Sequence, residues 1–293
     1  MEPSIVDRTR LFSVEGIVAV IDGGGTGIGL MFARALAANG ARKVYIVGRR
    51  KEILKSAAQS ASINGNVIPV VGDVTSKTSL LAIAEKVKQE VGYINLLICN
   101  SGYYPPRLNI KSEQSISDIA HKALQQDPEE WNRTFATNTT AVAFTSFAFL
   151  TLLDAGNTPP NSFCPGVKSQ ILVTTSIGAF NRNNSEAYHF SKSAATHLVK
   201  SFASSFAPYH IRVNGIAPGL FPTDLAAGLF DPNVAEPSVE GSLARDFVPA
   251  ERLGGTSDMA GFVLYAASQA GAYVNGNVMV VDGGRLGVVP SSY

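Results

Sequence analysis

The chain is expected to be an α/β protein: one domain over residues 1–293, built as a doubly wound parallel sheet of about seven strands with helices on both faces. Three observations predict this. Short apolar, β-rich runs alternate with helical patterns from end to end. Those runs are apolar on successive residues, as strands covered on both faces must be. A glycine-rich stretch, Gly23 to Gly29, joins the first run to the first helical pattern.

Taken in order, strands are expected at 16–21, 43–48, 66–72, 94–100, 170–176, 211–219 and 277–284, and helices at 29–40, 52–61, 79–91, 129–153 and 187–209. Gly40 supplies a stop signal for the first helix, and Asp127-Pro128 gives the fourth a cap and a proline at its first position. No internal repeat or linker divides the chain. Three connections exceed what a compact fold needs: 103–126, the Asn/Pro-rich 154–168, and 220–250. The third follows a strand's carboxyl end and carries the apolar segment Thr223–Phe230, which suits a substrate cover. The other two suit surface decoration or packing against another subunit equally well.

Composition sets bounds on function. Apolar residues are 45% and charged ones 16%, enough for a large core, and the mean hydropathy is +0.13. No uninterrupted apolar run reaches bilayer length, and the N-terminus mixes charges without an apolar h-region, so neither membrane nor secretion is expected. A formal net charge of +1 without a long basic block argues against nucleic acid as a partner. The two cysteines, Cys99 and Cys164, form no metal or disulfide pattern, which fits a reducing, cytoplasmic setting.

The glycine stretch can cradle a phosphate: glycines let backbone approach closely, and the following helix offers its N-terminal N–H groups. The residues placed for this are Gly23, Gly25, Thr26, Gly27, Ile28 and Gly29. The G-x-G-x-x-G fingerprint is not met, because Leu30 stands at its last glycine. The second strand then ends in Gly48-Arg49-Arg50, where a dinucleotide fold places either an acid for a ribose 2′-hydroxyl or an arginine for a 2′-phosphate. Two arginines and no carboxylate point to NADP(H). Tyr188 and Lys192 lie four apart on one helix face, where an ammonium would pull the phenol pKa down and make Tyr188 a usable acid and base. Ser176, at a strand end just upstream, can hydrogen-bond a reacting carbonyl. Neighbouring His189 is expected to point to another face of the helix.

In order along the chain, the glycine loop, Gly72-Asp73-Val74, Asn100-Ser101-Gly102, Asn138, Ser176, Tyr188-x-x-x-Lys192 and Pro218-Gly219 resemble the short-chain dehydrogenase/reductase family. The resemblance runs from about Ile17 to Gly284 and implies a Rossmann-type fold. It implies that Asn138 kinks its helix and holds a water in a proton relay, that Ser176 polarises the carbonyl, and that Tyr188 is the catalytic acid or base. Lys192 would lower the Tyr188 pKa and bind the nicotinamide ribose. Asp73 would meet the adenine amino group, with Val74 packed on the ring. Asn100 and Gly102 would line the cofactor ribose, and Pro218, Gly219, Leu220 and Thr223 would embrace the carboxamide. It further implies a homodimer or homotetramer.

One residue departs from the family pattern in a way that matters: Asp22 stands where the family usually has Thr. A carboxylate there can accept the same backbone N–H bonds more strongly, at the cost of a negative charge near a pyrophosphate. At roughly 8 Å and an effective dielectric of 20 each such pair costs about 2 kcal/mol, which Arg49, Arg50 and the helix dipole can offset. Asp22 is therefore expected to be a structural brace. The expected activity is NADPH-dependent hydride transfer between nicotinamide and a small apolar ketone or alcohol, without a metal. A cofactor-retaining epimerase or dehydratase, or a non-catalytic NADP-binding module, are the alternatives.

Overall fold

Alternation within the strands sets the architecture. In the computed structural model, which describes residues 6–108, 114–183, 185–231, 233–234 and 236–293, the strands are β1 (Val18–Asp22), β2 (Lys43–Gly48), β3 (Val67–Val71), β4 (Leu96–Cys99), β5 (Gln170–Thr174), β6 (Arg212–Pro218) and β7 (Val278–Val281). All pair in parallel, in the order β3-β2-β1-β4-β5-β6-β7. Period-two alternation sends Ala19, Ile21, Val44, Ile46, Leu96 and Ile98 to one face, and Val18, Val20, Tyr45, Val47, Leu97 and Cys99 to the other. Both sets are buried, which is why neither face reads as polar in the sequence.

The helices are α1 (Arg8–Leu11), α2 (Gly27–Ala38), α3 (Lys51–Ala61), α4 (Lys77–Glu90), α5 (Ile116–Leu124), α6 (Pro128–Phe135), α7 (Ala141–Gly156), α8 (Ala187–Phe206) and α9 (Thr256–Ala267). Residues of α2, α3 and α9 cover the first face, with Phe32 and Phe262 ring centroids 6.5 Å apart. Residues of α4, α7 and α8 cover the second, led by Ile83, Val87, Phe149, Leu153, Val199 and Phe202. The seven-stranded parallel sheet with helices on both sides is the fold class expected.

Four details differ from expectation. The connection 103–126 contains α5, whose Ser115 and Asp118 form a reciprocal capping box; residues 109–113 lie outside the described residues. The long fourth helix is interrupted, its α6 and α7 segments joined by a π-helical turn, Ala136–Thr140, that contains Asn138. Helix α9 has no counterpart among the expected elements; Asp258 in its first turn takes two bonds from Arg252, at 2.8 and 2.9 Å. Finally, the continuous helical stretch Pro128–Gly156 does reach bilayer length, with mean hydropathy 1.3. Here it is a core helix in its second half, with Phe149, Leu152 and Leu153 buried against the sheet.

Candidate active site

The strand order reverses between β1 and β4, so the loops leaving their carboxyl ends part and open a cleft. Its volume is about 1020 Å³. The cleft runs without a break from Arg49 and Arg50, past Asp73 and Val74, over Gly23, Gly25, Thr26, Gly27 and Ile28, to Asn100 and Gly102, and then to Ser176, Tyr188 and Lys192. Pro218, Gly219, Leu220 and Thr223 line its far wall. Of the residues expected to act in catalysis or to hold the cofactor, Gly29 and Asn138 are not on the wall.

Those two act from behind it. A Cβ on Gly29 would collide with the Gly23 carbonyl and come within 2.6 Å of Asn100 Nδ2, so its glycine lets α2 sit under the loop rather than meet a ligand. Gly23 has φ +63°, and a Cβ there would stand 2.9 Å from Asn100 Nδ2. Asn138 is fully buried. Its Oδ1 accepts the Tyr103 N–H at 2.8 Å, and its Nδ2 donates to Tyr103 O at 2.9 Å and Ser191 Oγ at 3.0 Å.

Asn100 ties three strand ends together. Its N–H donates to Asp22 Oδ1 at 2.8 Å, its Nδ2 reaches the carbonyls of Asp22 and Gly23 at 3.3 Å, and its Oδ1 accepts from Thr174 Oγ1 at 3.2 Å. The Asp22 carboxylate also accepts the Ser101 N–H. It therefore faces the β4 end, behind the glycine loop. Burial pushes its pKa up, against these bonds and the charge of Lys192.

Ser176 caps the short turn Ile177–Ala179, its Oγ accepting the Gly178 N–H at 2.9 Å. Lys192 is buried and donates to Thr174 O at 2.8 Å. Burial lowers its pKa to about 8, opposed by Asp22. Lys192 Nζ lies 5.9 Å from the Tyr188 ring centroid. The expected lowering of the Tyr188 pKa is not what this geometry gives: burial pushes the phenol up, and only the Ser176 hydrogen bond pulls against it. The cause is exclusion of water from a ring 7% exposed.

Sequence reading missed a second layer around Tyr188. Tyr104 stacks on it, with centroids 4.2 Å apart and planes 25° apart. The buried Glu186 carboxylate holds that loop, accepting the Tyr104 hydroxyl at 3.2 Å and the Leu108 N–H at 3.1 Å. His189 does not turn away: it lines the cleft, its ring centroid 5.8 Å from that of Tyr188 and its Nδ1 3.9 Å from Glu186 Oε2. No short-range spacing signals that Tyr104 and Tyr188, 84 positions apart, will meet.

At the opposite end Asp73 accepts from the Thr75 N–H at 2.9 Å and its hydroxyl at 2.7 Å. The Thr75 hydroxyl, with Arg49 assisting, holds the Asp73 carboxyl below its usual range. Thr223 caps the turn Asp224–Ala226 and faces Gly27, so the cover loop meets the glycine loop directly. Asp282 fixes the turn after β7, accepting the N–H groups of Gly284 at 2.8 Å and Leu286 at 2.7 Å.

The glycine cradle, the paired arginines, the Ser, Tyr and Lys side chains and the parallel sheet define a nucleotide-dependent oxidoreductase site. Comparison with known proteins agrees. The family model described as enoyl-(acyl carrier protein) reductase matches residues 23–285. The chain is 45% identical over 294 residues to the short-chain dehydrogenase/reductase PhomF of Diaporthe leptostromiformis, covering 99% of this chain and 98% of that one. It superposes on the RhlG/NADP active-site complex of Pseudomonas aeruginosa with TM-score 0.78 at 26% identity, covering 94% and 98% of the two chains. It is also similar to the 3-ketoacyl-(acyl-carrier-protein) reductase of Brucella melitensis complexed with NADH, with TM-score 0.76 at 25% identity over 93% and 99%. The chain belongs to the short-chain dehydrogenase/reductase family.

Proposed function

We propose that the chain is an NADPH-dependent carbonyl reductase acting on a small ketone with an apolar body. The observation that carries this reading is the unbroken cleft that joins Arg49 and Arg50 at one end to Ser176, Tyr188 and Lys192 at the other. The residues fit the cofactor. The only acids lining the cleft among the described residues are Asp73 and Asp224, so no carboxylate stands at the end of β2 to repel a 2′-phosphate. Arg49 and Arg50 would take that phosphate, Asp73 and Val74 the adenine, the glycine loop and the α2 N-terminus the pyrophosphate, and Asn100, Gly102 and Lys192 the ribose. The segment Pro218–Thr223 would hold the carboxamide.

NADPH, bound there, supplies the hydride. The chain's own task is the proton and the oxygen. Ser176 Oγ and Tyr188 Oη converge on the carbonyl oxygen, and Tyr188 gives it a proton as negative charge develops. Lys192 stabilises the phenolate left behind. A Cβ on Gly102 would lie 3.8 Å from Lys192 Nζ and 3.7 Å from Asn138 Oδ1, so the two flank one glycine and suit a relay that reprotonates Tyr188. Tyr104, Phe221, Leu225 and Phe247 wall the space beyond, which favours an apolar substrate body. Phe144, Phe147 and Phe190, each nearly half exposed on α7 and α8, suit a dimer or tetramer, and the free Cys99 and Cys164 suit a reducing, cytoplasmic setting.

The test is NADPH oxidation against ketones graded in size and polarity, with product analysis. Stoichiometric alcohol formation supports the reading. Substrate conversion without net NADPH use would replace it with an epimerase or dehydratase.

A further inference from the structure

Asp22 is 4% exposed at the end of β1. Bracing would need only an acceptor for the N–H groups of Asn100 and Ser101, which a neutral hydroxyl can provide. A carboxylate adds a charge, and the structure connects that charge to Lys192. Asp22 Oδ1 accepts from Asn100 N–H at 2.8 Å; Asn100 Oδ1 accepts from Thr174 Oγ1 at 3.2 Å; Thr174 O accepts from Lys192 Nζ at 2.8 Å. Three strand ends and α8 are thus joined in one hydrogen-bonded path.

Lys192 needs such a partner. An ammonium 3% exposed has lost most of its hydration, and among the described residues the acceptor its Nζ meets directly is a neutral carbonyl. The groups that act on or are acted on by Asp22 from the packed elements are the Cys99 thiol and Ser101 hydroxyl from β4 and its following loop, and Lys192 from α8. Its β2 neighbour in register, Val47, is apolar. Burial raises the Asp22 pKa, and the bonds from Ser101 and Asn100 together with the charge of Lys192 oppose that and favour the carboxylate.

We propose that Asp22 is a positioning residue for the reductase site: an ionised, buried counter-charge that keeps Lys192 protonated beside Tyr188. This rests on the reductase reading for its catalytic meaning, but the pairing itself does not depend on it. The sign follows from charge. Loss of the carboxylate lets burial drive Lys192 towards neutrality at lower pH, and this moves the alkaline limb of ketone reduction, which needs the ammonium, to lower pH.

Two variants test this, Asp22→Thr and the near-isosteric Asp22→Asn, and each is read in two ways. In the cofactor-free protein, the Lys192 13Cε resonance, assigned through Lys192→Met, should titrate about one pH unit lower in either variant than in the parent. In turnover, the alkaline limb of kcat/KM should fall by a similar interval, while NADPH affinity measured at pH 6 is equal or tighter. A pure brace predicts altered thermal stability with both titrations unmoved, and that result would overturn the proposal. Absence of ketone turnover in the parent, with the resonance shift still present, would sink the reductase reading and leave the counter-charge standing.

Discussion

The proposal that Arg49 and Arg50 hold a 2′-phosphate predicts that this cleft prefers NADPH to NADH, and replacing them gives a quantitative test. Both are exposed at the end of β2, and Arg50 stands at the N-cap of α3 without a side-chain cap bond, so neither guanidinium is committed to the fold. Arg49 acts electrostatically on Asp73, which places it on the adenosine side of the cleft. A hydrogen bond to a charged group contributes about 1.5–3 kcal/mol, and exposure argues for the low end. Each of Arg49→Ser and Arg50→Ser should then weaken NADPH binding about tenfold, and the double variant about a hundredfold. NADH has no 2′-phosphate, so its affinity should change by less than about twofold. Fluorescence titration of both cofactors against each variant measures this. Raising salt from low ionic strength should weaken NADPH preferentially, because exposed charges are screened over about 10 Å at 0.1 M. Equal losses for the two cofactors, or a parent protein that holds NADH more tightly, would refute the assignment.

Three further outcomes are expected. Tyr188→Phe should retain NADPH affinity within about threefold but lose at least about a hundredfold in kcat, seen by titration and steady-state kinetics, since it removes the proposed proton donor and little volume. Gly29→Ala should destabilise the fold by about 1–3 kcal/mol through collision with the Gly23 carbonyl and Asn100, visible as a thermal midpoint several degrees lower. Lys192 has its pKa lowered from 10.5 to about 8 in the cofactor-free fold, so between those values the unfolded chain binds more protons and this group's contribution to stability rises with pH. Denaturant titrations at pH 7.5 and 10 on the parent and Lys192→Met should therefore show a rise between the two pH values that the variant partly loses.

The sheet was legible because each strand carries its own signal: five buried residues in β1 and seven in β6, mostly apolar on both faces. The glycine loop, Asn100, Ser176, Tyr188 and Lys192 were legible because each lies in a short segment whose order along the chain is informative. Helix α9 was not, since its small and apolar residues show little contrast between faces, and its start rests on Asp258 reaching back to the Gly255 N–H at 2.7 Å. Tyr104 and Glu186 were not, because a stack and a latch between segments 82 positions apart have no periodicity to betray them.

Asp22 shows what the third dimension adds to a residue type already noticed. As a letter beside a run of glycines it conflicts with the phosphate the loop would hold. At the end of β1 the carboxylate turns to the backbone that follows β4, accepting the N–H groups of Asn100 and Ser101, while the glycine loop and not Asp22 lines the cleft. The conflict with pyrophosphate becomes a matter of distance through protein, while Asn100 and Thr174 hold the carboxylate and Lys192 in one hydrogen-bonded network. The same geometry makes Asn100 the junction between the glycine loop and Thr174, whose carbonyl holds Lys192. A change at Asn100 should therefore disturb cofactor affinity and the pH profile together, whereas a change at Asp22 separates them.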